Sequence, residues 1–72
     1  MSAVHPVVQQ LIDRRTTLGL TQRAVAKRAG IAPATISGIE DGANSPTLRT
    51  LEPWATALGL DVRLVERAEA RS

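Results

Sequence analysis

The chain has 72 residues, 43% of them apolar and 22% charged, and carries a formal net charge of +2. A chain this short forms one domain, 1–72, and buries only about 60% of the surface that its unfolded form exposes, so a partner subunit is expected to help stabilise it. Without cysteine, and with His5 as the single histidine, it offers neither a disulfide framework nor a thiolate or imidazole set for zinc, and no apolar run suits a membrane span.

The N-terminal MSAVHPVVQQ lacks the basic segment, apolar core and small-residue cleavage site of a signal peptide, which points to a cytoplasmic protein. Pro6 suits the first turn of a helix, and Val8, Leu11, Ile12, Arg15 and Leu18 follow at spacings of three and four. The first helix is therefore expected over 6–18. Four glycines, Gly19, Gly30, Gly42 and Gly59, each follow an apolar-periodic stretch and divide the chain into helix-sized pieces.

After Gly19, Thr21 is a natural N-cap for a second helix over 22–29, with Val25 and Ala29 inward and Arg23 and Lys27 sharing the outer face. Arg14, Arg15, Arg23, Lys27 and Arg28 make this half of the chain basic, with only Asp13 nearby. Such a run is either an interaction strip or an ordinary solvated helix face. A short turn at Gly30 and Ile31 leads to a third helix over 33–41, whose buried stripe is Ile36 and Ile39. Two short helices joined so tightly need a small residue where they cross, a glycine at the turn and aliphatic side chains inside; Ala26, Gly30 and Val25 with Ile36 supply these.

Residues 43–46 read as a loop. Leu48, Leu51, Trp54, Ala55 and Leu58 then mark the inner side of a fourth helix, with Trp54 as a core anchor. Pro53 would remove one backbone hydrogen bond there, so this helix is expected either to start late, near Thr50, or to kink. Leu60, Val62 and Leu64 alternate with Asp61, Arg63 and Val65. This favours a short strand over 60–67 that pairs with its copy in a second subunit, with a fifth amphipathic helix as the alternative. The last residues, 68–72, are expected to fray.

The stretch LTQRAVAKRAGIAPATISGIEDG, continued through SPTLRTLEPWATALGL, resembles the phage-repressor and Cro-type (XRE-like) helix-turn-helix family over residues 7–60. The resemblance implies an all-α, lambda-repressor-like bundle of four to five elements whose third helix lies in the major groove of duplex DNA. It places Gln22 beside the DNA backbone at the start of the second helix, where free amides and the helix dipole suit a phosphate. It places the base readers at Pro33, Ala34, Thr35 and Gly38, with Ser37 between them. Pro33, Ala34 and Gly38 offer no side-chain hydrogen bond, which departs from versions rich in glutamine, arginine or asparagine. Direct readout is then sparse, and specificity falls to Thr35, Ser37, Arg23, contact with thymine methyls and DNA shape. Lys27 adds charge, Arg14 or Arg15 extends the strip, and the loop residues Asn44 and Ser45 reach phosphates. Gly38 is locally odd, since glycine inside a helix costs about 1 kcal/mol relative to alanine.

The tail resembles the C-terminal strand of HipB-type antitoxins over a few residues, which makes Asp61, Val62, Arg63, Leu64 and Val65 the candidate dimerisation set. The function expected is a sequence-specific, homodimeric transcriptional regulator on a palindromic operator, associated with the nucleoid. The alternatives are an antitoxin that also holds a toxin protein, and a protein-interaction module that does not read DNA. No paired carboxylates, activated nucleophile or phosphate loop points to an enzyme, and no cofactor is implied.

Overall fold

Each helix among the described residues is short, so each depends on how its ends are satisfied and on which face it buries. The computed structural model describes residues 4–68 and contains four helices: α1 Pro6–Thr17, α2 Gln22–Ala29, α3 Pro33–Glu40 and α4 Leu48–Ala57. Thr21 caps α2 by accepting from the Ala24 amide at 3.0 Å, and Thr47 caps α4 by accepting from the Thr50 amide at 3.3 Å. Pro6 and Pro33 occupy the first turns of α1 and α3, where their missing N–H groups leave no helical bond unmade. The first three helices match the expected bounds to within one residue, and Leu18 and Asp41 serve as C-caps of α1 and α3.

The fourth helix does not start late. It begins at Leu48 and runs through Pro53. The Thr47 cap fixes the first turn, and burial of Leu51, Trp54 and Ala55 on one face holds a helix that lacks a single backbone donor.

The core draws on all four helices. Val8 and Leu11 come from α1, Val25 and Ala26 from α2, Ile36 and Ile39 from α3, and Leu51, Trp54 and Ala55 from α4, with Leu58 at its C-cap. α2 packs against both α3 and α4, while α1 packs against α3. Trp54 is fully buried, as a core anchor should be.

Residues 60–67 form neither strand nor helix, so both the short strand expected there and its fifth-helix alternative are corrected for the single chain. Their apolar residues alternate, which gives no continuous stripe at helical spacing, and in one chain a strand here has no mate to complete its backbone hydrogen bonds. Leu60 still packs on the core, but residues 61–68 are exposed, with Leu64 and Val65 reaching 103% and 82%. The fraying expected at 68–72 lies, from residue 69 onward, outside the described residues. Among the described residues no helix is long and apolar enough to cross a membrane.

Candidate nucleic-acid interface

The reversal between α2 and α3 turns on Gly30, whose φ of 70° is left-handed and open to glycine without strain. The amides of Gly30 and Ile31 both donate to the Ala26 carbonyl, the second at 3.0 Å, which closes the end of α2. Ala26 is itself buried, so the helices approach closely at a residue with only a methyl group. α3 therefore leaves the turn at once, with Ala32 as an N-cap that makes no side-chain hydrogen bond.

Successive residues of a helix turn by about 100°, which sets Ala34, Ser37 and Gly38 opposite the buried Ile36, Ile39 and Glu40. Pro33 and Ala34 are exposed, and Thr35, Ser37 and Gly38 are half-buried. Among the described residues, the hydroxyls of Thr35 and Ser37 make no hydrogen bond. Asn44 and Ser45 are exposed in the following loop, whose Ala43 and Asn44 amides donate to the Gly38 carbonyl at 2.9 and 3.1 Å. A Cβ at 38 would meet the amide nitrogen of Asn44, the movable end of an exposed side chain in the loop that folds back over α3.

At the other edge, Thr21 satisfies the Ala24 amide and leaves the amides of Gln22 and Arg23 at the open end of α2. Arg23, Lys27 and Arg28 are exposed, and none of them forms an ion pair among the described residues. Arg15 does not extend this basic strip. Its Nε and NH2 donate to the two carboxylate oxygens of Glu40 at 2.9 and 2.8 Å, and its NH1 donates to the Leu20 carbonyl at 2.8 Å. Arg14 is also engaged, donating from Nε to the Leu58 carbonyl at 3.0 Å at the end of α4, where a cation suits the helix dipole.

Gln22 joins the same network, donating from Nε2 to Glu40 at 3.0 Å. The side chain expected to meet the DNA backbone is thus tethered to the last residue of α3, with its carbonyl oxygen and second N–H uncommitted. The Arg15–Glu40 pair was missed from sequence. The signal was present, because Glu40 lies one turn after Ile36 on the inner stripe, and an acid buried there requires a cationic partner. The Glu40 side chain is only 5% exposed, against 17% for Arg15, so the bidentate pair is largely withdrawn from solvent.

The tight reversal and the outward face of its second helix define a helix-turn-helix domain. The sequence profile of HTH_3, described as helix-turn-helix, matches residues 11–65, and the chain belongs to this family. It is 42% identical over 59 residues to Antitoxin HigA1 of Mycobacterium tuberculosis, which spans 82% of this chain and 40% of the relative. It is 43% identical over 47 residues to an HTH-type transcriptional regulator of Methanothermobacter thermautotrophicus, covering 65% of this chain and 68% of that one. A crystal structure of an HTH_3 family transcriptional regulator from Vibrio cholerae superposes with a TM-score of 0.71 at 34% identity, over 76% of this chain and 31% of the other. The chain thus matches well under half the length of HigA1 and of the Vibrio regulator.

Proposed function

We propose that this domain binds duplex DNA and regulates transcription, with α3 entering the major groove and the exposed end of α2 seated on the flanking phosphates. The observation that carries the reading is the outward face of α3: Pro33 and Ala34 are exposed and Thr35 and Ser37 half-exposed on the side opposite Ile36 and Ile39, while Arg23, Lys27 and Arg28 on the preceding helix are exposed and form no ion pair among the described residues. The family and the named regulators among its relatives support it. In this reading Gln22, Lys27 and Ser45 meet the DNA backbone, Arg23 contributes to specificity at the edge of the groove, and Thr35 and Ser37 with the apolar Pro33 and Ala34 read the groove. The domain acts as a homodimer on a palindromic operator in the cytoplasm, bound to the nucleoid, and performs no catalysis.

Two copies are joined in this proposal by residues 61–65, where Val62, Leu64 and Val65 leave apolar surface exposed and the backbone lies free to pair. The similarity to HigA1 favours a second, compatible role: repression of an operon whose other product is a toxin held by this protein or by a longer chain containing it.

The test is selection of bound duplexes from a random pool followed by titration of the selected site. A selected site should bind at least a hundredfold more tightly than random duplex. Lys27→Ala should weaken all duplexes, whereas Thr35→Ala should narrow the gap between selected and random ones. Equal binding to every duplex, or none, would leave the fold as an interaction module. Copurification of a toxin encoded beside this gene would add the antitoxin role.

A further inference from the structure

The groove-facing strip of α3 has a gap at its centre. Gly38 lies one turn beyond Ala34 and opposite the Ile36–Ile39 stripe, the position from which a long side chain would reach a base. That space is taken. A Cβ built on Gly38 would collide with Nδ2 of Asn44 and come within 3.5 Å of its Cγ. The carboxamide of Asn44 therefore lies where a side chain of residue 38 would begin. Its backbone is held to α3 by the paired bonds from the Ala43 and Asn44 amides to the Gly38 carbonyl. Asn44 remains exposed, and among the described residues its side chain makes no hydrogen bond, so both its donors and its acceptor are unspent.

We infer that Asn44 is a specificity-determining residue: its carboxamide, seated in the opening left by Gly38, reads an adenine edge in the major groove. This rests on the reading that α3 enters that groove. A carboxamide carries a donor and an acceptor side by side, which matches the N6 amino group and N7 of adenine, whereas a phosphate presents acceptors alone. The otherwise poorly equipped helix thus borrows its hydrogen-bonding group from the next loop, and the two clamping bonds limit the freedom lost when that group meets a base.

Selection of bound duplexes with the full chain, its N44A variant and its G38A variant tests this. The wild-type motif should contain one A·T pair in each half-site that N44A loses while the other positions persist. Affinity for the selected site should fall about tenfold, with no change for a site already altered at that pair. G38A should lose the same preference by displacing the amide, while thermal melting shows a helix no less stable, since alanine favours helix over glycine. G38A added to N44A should then have no further effect on the motif. A motif that N44A leaves intact overturns the inference. So does an equal weakening of all duplexes, which marks a contact to phosphate that carries no sequence information. Wild-type protein that selects no motif overturns the parent reading, and this inference falls with it.

Discussion

Glu40 does two jobs with one carboxylate. It neutralises Arg15 from α1 and holds the amide of Gln22 at the start of α2, so three helices meet at its two oxygens. Removing it strands a guanidinium that is mostly buried, and breaking such a pair costs more than the pair itself contributes. Glu40→Ala should therefore destabilise the domain by about 2–3 kcal/mol, read as a lower urea midpoint at unchanged slope. Glu40→Gln should lose less, because its carbonyl oxygen still accepts one of the hydrogen bonds. A loss below about 0.5 kcal/mol for Glu40→Ala would mean that Arg15 finds full solvation elsewhere. Of all features at this scale, the pair was the least legible in the sequence. Charges at 15 and 40 read as members of separate helices until the fold sets Arg15 beside Glu40. Trp54 was legible, because one large aromatic on an inner stripe has few other places to go.

Among the elements, the turn decides the arrangement. At Gly30 an added Cβ would meet nothing within 4 Å, so the penalty for a larger residue is the left-handed backbone alone. Gly30→Ala should cost about 1–2 kcal/mol by denaturant unfolding, Gly30→Asn less, and Gly30→Val the most, because β-branched residues tolerate positive φ least. Equal costs for all three would show that the turn relaxes into another geometry. Helices α1 to α3 could be read from proline, threonine and glycine at their ends together with apolar spacing between them. α4 could not be bounded in the same way. Pro53 weighed against an early start when read locally, yet packing of Leu51 and Trp54 outweighs the one donor it removes. The tail was the least readable element: its alternation suggested a strand, whereas residues 60–67 of the single chain are neither strand nor helix.

For the whole molecule, the distribution of apolar surface matters more than its amount. The core closes over Trp54 and Leu58, while Leu64 and Val65 stay in solvent. If this surface joins two copies, Leu64→Glu with Val65→Glu should shift sedimentation from dimer to monomer. It should also weaken binding to a two-half-site duplex far more than to a single half-site, because the second contact loses its tether. A variant that stays dimeric would move the subunit contact elsewhere. The family and the fold were legible in the order of small, apolar and polar residues from Leu20 to Gly59. The outward face of α3 was only partly so, because the contact between Asn44 and Gly38 depends on how a loop folds back over a helix.

The outward residues of α3 have a further consequence for how such a domain changes over generations. Among the described residues, Pro33, Ala34, Thr35 and Ser37 make no side-chain hydrogen bond, while the fastening of the three helices is assigned to Arg15, Gln22 and Glu40. Letters at the first set of positions are thus free to be rewritten without loosening the frame that displays them. If α3 meets DNA as proposed, new targets come within reach by single steps that keep the protein foldable throughout.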